Sequence, residues 1–345
     1  METMIATDVN PSKIMQVGMG FFASKTLLTA VNMGLFTELA GKELSGKDIK
    51  DTLNLHERGL YDFLDTLVSL GFLQRRGLKE TAYYSNTEET EVFLDKNKPS
   101  YVGGMLEMSN NRLYKFWGDL EEGLKTGLPQ NETKGGGKPL FEELYSSQES
   151  LTGFLKAMGG IQMGNFMAFS SKFEFNGYTS HCDIGGAGAY LSAQVVMNNP
   201  HVSSISFDLP PVAPIASANI QQMGLSDKVT IQSGDFFIDD FPKAEVITMG
   251  NILHDWGKKD KLMLIRKAYE ALPEGGALVV IENVIDDDRS ENAFGLMMSL
   301  NMLIETSEGF DFSAADFTGW AEEIGFRETY TMPLTGPSSA IIAIK

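Results

Sequence analysis

The chain has 345 residues, 43% of them hydrophobic, and a formal net charge of -18 at pH 7. This length and apolar content allow two domains with sizeable buried cores. The acidic balance argues against a nucleic acid partner, because affinity for a polyanion depends on clustered Lys and Arg. The single cysteine, Cys182, excludes an internal disulfide and a zinc site built on several cysteines.

The first residues, 1–8, lack the basic stretch followed by an apolar run that marks a secretory signal. Apolar runs such as 277–281 are far shorter than the roughly 20 residues that a bilayer requires. We therefore expect a cytoplasmic protein with no membrane partner.

Helical periodicity dominates the first hundred residues. Apolar positions between residues 12 and 39 recur at helical spacing and predict one or two buried helices. Ser45 is placed to cap a further helix, the apolar positions over 60–72 predict another, and Gly77 marks the turn of a hairpin over 72–84.

Helices followed by a hairpin are typical of a winged helix, which would suggest DNA binding. The candidate recognition segment, residues 57–65, carries three acids against one Arg, the reverse of what phosphate contact favours. The composition therefore favours dimerisation and lid formation over DNA binding.

The middle of the chain is also helical. An amphipathic segment over 106–124 precedes a stretch over 126–138 that is rich in Gly, Pro and Asn and predicts a flexible connection. Residues 141–173 predict a helix with a Met- and Phe-rich face, which would pack in a core or wall a substrate pocket.

The stretch 181–190 (HCDIGGAGAY) has the pattern of a strand end, a glycine turn and a helix start. The small residues at 185–188 allow the backbone to approach a ligand closely. The next apolar strand ends at Asp208, where a carboxylate can accept both hydroxyls of a ribose, as in dinucleotide folds. The pattern indicates a nucleoside-binding loop.

Strands and helices alternate from there to the C-terminus. The predicted helices cover 212–223, 258–272, 292–304 and 314–324, and the predicted strands cover 229–232, 244–249, 277–281, 327–332 and 340–344. This alternation predicts an α/β fold with a mainly parallel sheet and helices on both faces. The turn over 335–337 lets the last strand run antiparallel.

Five motifs follow one another along the chain, namely 183–188 (DIGGAG), 207–210 (FDLP), 234–237 (GDFF), 251–256 (NILHDW) and 272–276 (LPEGG). Together they resemble the S-adenosylmethionine-dependent O-methyltransferases of the plant caffeate and bacterial polyketide-tailoring type. The resemblance covers nearly the whole chain. It implies a winged-helix-like dimerisation domain over 1–100, and a Rossmann-like class I methyltransferase domain with a seven-stranded sheet over 101–345. The latter would include a helical linker over about 101–175.

The resemblance also implies a homodimer, a small-molecule substrate and S-adenosyl-L-methionine as the cofactor, with no metal. The implied cofactor-binding residues are Asp183, Gly185, Gly186, Gly188, Asp208, Leu209, Asp235, Phe236, Gly250 and Trp256. Two positions depart from the family pattern. Ala187 stands where a third consecutive glycine is common, and Gly250 lies near a place where plant relatives often offer a Lys.

His254 follows the fourth strand, at the carboxyl edge where open sheets bind ligands. The resemblance implies that its imidazole removes a hydroxyl proton while the oxygen attacks the cofactor methyl. Glu282 and Asp311 match the two acids that hold the ring, although Asp311-Phe312-Ser313 replaces the usual Glu-Arg-Thr. The alternative for each acid is a solvated loop residue.

We expect an apolar substrate pocket between two predicted helices, which favours a flat aromatic acceptor. Its expected lining residues are Phe154, Met158, Ile161, Met298, Asn301 and Met302. A methyltransferase acting on sulfur, nitrogen or carbon is the alternative, and it would not require His254 for an acceptor that has no proton to lose. A ligand-sensing winged-helix regulator is the remote alternative.

Overall fold

A computed structural model describes residues 9–138, 145 and 147–345. The chain divides into two compact units, one ending at Tyr114 and the other beginning at Lys115. The helical linker predicted from residue 101 therefore begins inside the first unit.

Short helices and a small antiparallel sheet make up the first unit. Its helices are α1 (Ser12–Gly18), α2 (Gly20–Asn32), α3 (Leu35–Glu38), α4 (Gly46–Leu53), α5 (Glu57–Ser69), α6 (Glu88–Phe93) and α7 (Gly103–Met108), and its strands are β1 (Leu44–Ser45), β2 (Leu73–Arg76) and β3 (Tyr83–Asn86). The strands pair in the order β1-β3-β2. A π-helical turn, Ser109–Leu113, follows α7, and the short helix α8 (Tyr114–Phe116) straddles the division between the units.

Local sequence explains two of these elements. The Asp48 backbone N–H donates to Ser45 Oγ at 3.1 Å and the Ser45 N–H donates to Asp48 Oδ2 at 3.3 Å, so the predicted cap is confirmed as a capping box. Gly77 has φ +86°, and a Cβ there would lie 2.5 Å from the Thr81 carbonyl oxygen. The turn between β2 and β3 therefore requires glycine.

The expectation of buried helices between residues 12 and 39 is wrong for α1. No residue of α1 is buried, and Ile14 and Val17 are each 74% exposed. Helices α1 and α2 together form the one described stretch, Ser12–Asn32, that is long and apolar enough to cross a membrane by length and composition. One such stretch is weak evidence for a membrane span, so the absence of a membrane partner stays a prediction. The cytoplasmic location stays a prediction.

The second unit carries longer elements. Its helices are α9 (Leu120–Thr126), α10 (Gln148–Lys172), α11 (Tyr190–Asn198), α12 (Ala213–Gln222), α13 (Lys258–Ala271), α14 (Ala293–Glu305) and α15 (Ala314–Ile324). Its strands are β4 (Ser180–Ile184), β5 (Ser203–Asp208), β6 (Val229–Ser233), β7 (Val246–Gly250), β8 (Ala277–Glu282), β9 (Glu328–Pro333) and β10 (Ser339–Ile344).

The seven strands form one sheet in the order β6-β5-β4-β7-β8-β10-β9. Strands β4 to β8 pair in parallel, whereas β10 runs antiparallel to both β8 and β9. The predicted fold class is confirmed. The strand order reverses at β4, and open sheets bind ligands at the carboxyl ends of strands beside such a reversal.

Two details of the second unit differ from the sequence expectations. The helix predicted over 141–173 begins at Gln148, where Ser147 Oγ caps the Ser150 N–H at 3.3 Å, and residues 141–144 lie outside the described residues. The stretch predicted as a flexible connection, 126–138, is anchored near its middle. The Gln130 N–H donates to the Ile304 carbonyl at 2.8 Å and Asn131 Nδ2 donates to the Glu305 carbonyl at 2.7 Å.

Candidate active site

The glycine loop joins β4 to α11 at the reversal of strand order. The N–H groups of Gly185 and Gly186 both donate to the Phe207 carbonyl, at 2.9 and 3.2 Å, and so fasten the loop to the end of β5. A Cβ at Gly185 would lie 2.3 Å from Ile252 Cδ1, and one at Gly186 would lie 2.2 Å from Ser206 Oγ. Gly185 also has φ +70°, which favours glycine, whereas a Cβ at Gly186 would require the Ser206 hydroxyl to move.

Ala187 takes a conformation that is costly for any residue with a Cβ. Its φ is +49°, and Ala189 follows with φ +61°. A left-handed residue of this kind costs about 1–2 kcal/mol, so the departure from glycine at residue 187 introduces strain. The Ala187 N–H donates to Asp208 Oδ2 at 2.8 Å, a charge-assisted hydrogen bond that offsets part of that cost.

Asp208 at the end of β5 is held on both carboxylate oxygens. Oδ2 accepts from Ala187, and Oδ1 accepts from the Leu209 N–H at 2.7 Å. Burial raises the pKa of Asp208, although these two N–H groups act to lower it. Each oxygen retains a lone pair for a further donor such as a hydroxyl.

Tyr145 lies close enough to Asp208 for the carboxylate charge to act on its phenol. Burial, and after it the charge of Asp208, raises the pKa of the Tyr145 phenol. Sequence reasoning missed this residue, because a single aromatic residue within a predicted helix carries no signal for a loop contact.

Asp183 is buried beneath the loop, with 4% of its surface exposed. Its Oδ1 accepts from Thr248 Oγ1 at 2.6 Å, and Thr248 Oγ1 also lies 3.0 Å from His181 Nε2. Burial raises the pKa of Asp183 to about 7, with the Thr248 hydrogen bond opposing it and the Asp208 charge adding to it. The hydrogen bond between Asp183 and Thr248 joins β4 to the neighbouring strand β7.

The residues predicted to border an adenine form a turn beside an aromatic cluster. Asp235 Oδ1 accepts from the Phe237 N–H at 2.8 Å. The ring centroids of Phe236 and Phe237 lie 5.9 and 4.6 Å from that of Trp256, with both rings nearly perpendicular to the indole. Phe237, which the sequence analysis did not select, is thus part of the cluster. Trp256 Nε1 is buried without a hydrogen-bond partner among the described residues.

Gly250 ends β7 in more open surroundings than the loop glycines. The nearest described atom to a Cβ built there is Phe166 Cε1, at 3.8 Å. This is an ordinary van der Waals separation, so residue 250 tolerates a side chain sterically.

His254 lies on a 3-10 turn, Leu253–Asp255, just after β7, and is 6% exposed. Its Nδ1 is 3.6 Å from Glu282 Oε2 and 3.5 Å from Asp311 Oδ1. The His254 backbone N–H donates to Glu282 Oε1 at 3.3 Å. The fold thus brings together the three residues that the sequence analysis selected as catalytic.

Burial and charge act in opposite directions on this imidazole. Burial lowers the pKa of His254, but the carboxylates of Glu282, Asp255 and Asp311 outweigh it and raise the pKa to about 10. Burial likewise raises the pKa of Glu282 to about 7, against the effect of His254. His254 Nδ1, Glu282 Oε2 and both Asp311 carboxylate oxygens have no hydrogen-bond partner among the described residues.

Sequence reasoning missed two charged neighbours of this group. Asp255 Oδ1 lies 3.5 Å from His254 Nε2, on the opposite side of the ring from Glu282. Lys261, in the first half of α13, has none of its surface exposed. It shares the buried face of α13 with Leu264, Ile265 and Ala268, and that helical spacing is the signal that could have identified it.

The predicted pocket residues lie on α10 and α14. On α10, Phe154 and Met158 are half-buried and Ile161 is 44% exposed. On α14, Met298 is half-buried, Met302 is buried, and Asn301 Oδ1 accepts from Trp117 Nε1 at 2.9 Å. A pocket shared by the two sets stays a prediction.

A seven-stranded sheet in this order, with a glycine loop after β4 and an acid ending β5, defines the class I methyltransferase fold. Residues 117–327 match the family model of the O-methyltransferase domain, and residues 15–96 match that of the O-methyltransferase dimerisation domain. The chain belongs to the O-methyltransferase family.

Similar proteins extend over nearly the whole chain. The tetracenomycin polyketide synthesis 8-O-methyl transferase TcmO of Streptomyces glaucescens is 36% identical, with 97% of each chain covered. The N,N-dimethyltransferase OxyT of Streptomyces rimosus is 28% identical, covering 94% of this chain and 93% of OxyT. The crystal structure of human N-acetylserotonin methyltransferase in complex with S-adenosylmethionine superposes with a TM-score of 0.89 at 26% identity, with 99% of each chain covered. The protein is an S-adenosyl-L-methionine-dependent methyltransferase.

Proposed function

We propose that this enzyme methylates a hydroxyl group of a small aromatic molecule, with His254 as the general base. The observation that carries the proposal is the position of His254, whose Nδ1 faces Glu282 and Asp311 at 3.6 and 3.5 Å. The hydroxyl is favoured as the acceptor because the relative TcmO is named for an 8-O-methylation.

The cofactor-binding residues that we propose have features that fit S-adenosyl-L-methionine. Gly185 and Gly186 bring the backbone into a closely packed loop, the Asp208 oxygens keep lone pairs for ribose hydroxyls, and Trp256 Nε1 is a buried donor without a described partner. When bound, the cofactor supplies a methyl group on a positively charged sulfur, whose charge also opposes protonation of a nearby imidazole.

Proton transfer from a phenol to an ordinary histidine is uphill. A phenol pKa of about 10 against an imidazole pKa of about 6.5 is a mismatch of roughly 3.5 units, or about 4.8 kcal/mol. In this protein Glu282, Asp255 and Asp311 raise the pKa of His254 to about 10, which removes most of that mismatch by stabilising the imidazolium. The acids therefore make His254 strong enough as a base to accept a phenolic proton.

The same charges predict the pH dependence. The base must be neutral before it accepts a proton, and a raised pKa means that neutral imidazole becomes populated only at higher pH. We expect kcat/KM to rise with pH. The midpoint of this acid limb should lie between about pH 6.5, the ordinary pKa of histidine, and about pH 10, the raised pKa of His254.

The test compares His254→Gln with His201→Gln, a control at an exposed histidine. Hydroxylated aromatics, amines and thiols serve as acceptors, and mass spectrometry detects a gain of one CH₂. We expect His254→Gln to lower kcat by about 10²–10⁴-fold, with cofactor affinity by calorimetry unchanged. Full turnover by this variant would refute the assignment of the base.

The relative OxyT supports transfer to nitrogen as a second candidate function, since it is named an N,N-dimethyltransferase. An amine acceptor that carries no proton to remove needs no base. Turnover of such an amine, unaffected by His254→Gln, would favour this alternative.

Methyl transfer by this route needs no metal. The side chains of His254, Glu282 and Asp311 approach within 4.8 Å of one another. If they shared a divalent cation instead of a proton, dialysis against EDTA would abolish turnover and added metal would restore it. We expect turnover to be unchanged by EDTA.

We also propose that the enzyme is a homodimer through its first unit. The match to the dimerisation domain covers 15–96, and Ile14, Val17 and Phe22 are 74%, 74% and 57% exposed. An apolar surface of this kind is typical of an interface. Val17→Glu should shift the mass measured by light scattering from that of a dimer towards that of a monomer, whereas Lys13→Glu, at an exposed polar position, should not.

A further inference from the structure

Lys261, on α13, is a completely buried lysine of the second unit. None of its surface is exposed, although ammonium groups are among the groups least often buried completely. Its Nζ donates to the Trp256 carbonyl at 2.5 Å and lies 3.6 Å from the centroid of the Phe310 ring. The Phe312 ring lies on the same side, at 5.6 Å.

The charges around Lys261 are those of the proposed catalytic group. Burial lowers the pKa of Lys261 to about 8, while Glu282, Asp311 and Asp255 act to raise it. The same carboxylates act on His254. They come from three places in the fold, since Asp255 lies on the turn after β7, Glu282 ends β8, and Asp311 follows α14.

Four charged groups act on the His254 imidazole or on the carboxylates around it, namely Asp255, Glu282, Asp311 and Lys261. With three acids and no other cation, the imidazole would be held strongly as imidazolium. A protonated ring accepts no proton from a substrate. A second cation near the acids attracts their charge and so favours the neutral ring. Lys261 is placed to do this, because its Nζ binds the carbonyl of Trp256, the residue after Asp255, and lies over the rings of Phe310 and Phe312, which flank Asp311.

We propose that Lys261 is a positioning residue for methyl transfer, whose buried ammonium acts through the carboxylates of Asp255, Glu282 and Asp311 to set the proton affinity of His254. This inference rests on the proposed function, in which His254 is the base. The direct contacts of Lys261, a carbonyl and aromatic rings, also allow a structural role in which it anchors the Trp256 backbone. The experiment must separate the two roles.

The main variant is Lys261→Met, which removes the charge and keeps a chain of similar length that suits a buried position. Lys261→Arg keeps the charge, and Lys259→Met removes an exposed lysine of the same helix as the matched control. Lys261→Gln replaces the Met variant if the latter does not fold. The pH profile of kcat/KM is measured for all of them.

We expect Lys261→Met to move the acid limb of kcat/KM upwards by about one pH unit, so that the rate at a fixed pH on that limb falls about tenfold. Lys261→Arg should return the limb towards its wild-type position, and Lys259→Met should leave it unchanged. A profile that keeps its wild-type midpoint in Lys261→Met overturns the proposal, even if kcat or thermal stability falls.

A second readout does not depend on turnover. The chain has four histidines, so the NMR signal of His254 is assigned by its loss in His254→Gln. Titration is performed without cofactor in a Glu282→Gln background, where the loss of one acid lowers the pKa of His254 into an accessible range. Adding Lys261→Met should raise the midpoint again, and an unmoved midpoint contradicts the proposal.

The two proposals fail in different ways. If His254→Gln retains turnover, the assignment of the base is wrong and the pH-rate test no longer bears on Lys261. If His254→Gln is inactive while Lys261→Met leaves both the acid limb and the NMR titration unchanged, the base stands and the role of Lys261 is wrong.

Discussion

The loop beside Asp208 and the group around His254 lie at the same edge of one sheet but are built in opposite ways. In the loop, both Asp208 oxygens accept backbone N–H groups within 2.8 Å. Around His254, the closest carboxylate oxygens stand 3.5 Å or more from the ring nitrogens. Several buried polar atoms of this group have no hydrogen-bond partner among the described residues.

In the proposed function, this difference separates a rigid binding surface from a group that exchanges a proton. A carboxylate that accepts a hydrogen bond on each oxygen holds a fixed geometry, whereas a buried charge without hydrogen bonds responds strongly to each neighbouring charge. Substitutions in the loop should therefore change cofactor affinity and stability. Substitutions around His254 should change the rate and its pH dependence.

Short of removing the base itself, the largest effect is expected for Glu282→Gln, which removes one negative charge from the His254 group. Losing an acid lowers the pKa of His254 from its raised value, so the acid limb of kcat/KM should move to lower pH. The imidazolium is then less stabilised, and the maximal rate should fall about 100-fold.

The matched control is Glu274→Gln, at an exposed acid in the turn after α13. Its pH profile should be that of the wild type. An acid limb that moved to higher pH in Glu282→Gln would contradict the sign of the charge effect that we assign to Glu282.

The next largest effect is expected for Asp208→Asn. An amide offers one acceptor oxygen in place of two, so either the Ala187 or the Leu209 N–H loses its partner along with the proposed ribose contact. We expect cofactor affinity measured by calorimetry to fall about 10- to 100-fold. The rate at saturating cofactor should be largely retained, and Asp227→Asn, at an exposed acid, should bind as the wild type does. Unchanged affinity in Asp208→Asn would remove this residue from the site.

Much of the second unit was predictable from sequence because its signals are local. The helix Ala314–Ile324 has the predicted bounds, and β8 extends one residue beyond the predicted 277–281. Each is recognised from its own run of apolar residues, bounded by turn or cap residues. The contacts among His254, Glu282 and Asp311 followed from the family resemblance together with their positions at strand ends.

The rest depends on tertiary contacts that a local pattern alone does not decide. Lys261 has the composition of a solvent-exposed helix residue next to two other lysines, and its burial is decided by the aromatic rings that pack over it. The exposure of α1 shows the converse case. Its apolar spacing predicts burial, but the spacing does not specify whether the covering surface belongs to the same chain.

A smaller effect is expected for Gly186→Ala, which tests the packing of the loop. The added Cβ would lie 2.2 Å from Ser206 Oγ and 3.2 Å from the Asp183 carbonyl oxygen, so the Ser206 side chain or the loop must shift. We expect a loss of about 1.5 kcal/mol in the free energy of unfolding, measured with urea, and weaker cofactor binding. Gly250→Ala is the control, since its Cβ meets Phe166 Cε1 at 3.8 Å, and it should cost well under half as much. Equal losses would mean that the loop is not closely packed.

The smallest effect, and the one with the opposite sign, is expected for Ala187→Gly. At φ +49°, glycine removes a left-handed strain of about 1–2 kcal/mol but adds about 0.5–1 kcal/mol of backbone entropy to the unfolded chain. The net gain in the free energy of unfolding should be about 0.5 kcal/mol. Cofactor affinity should change little, because the N–H that binds Asp208 is retained.

Ala193→Gly, within α11, provides the contrast because its buried methyl group is lost from a helix. It should destabilise by about 1 kcal/mol or more, since no strain is relieved there. If Ala187→Gly destabilised the protein as much as Ala193→Gly does, the left-handed conformation would carry no cost. The strain that we assign to the loop would then be absent. Alanine at residue 187, in place of the glycine common in the family, would have no energetic consequence.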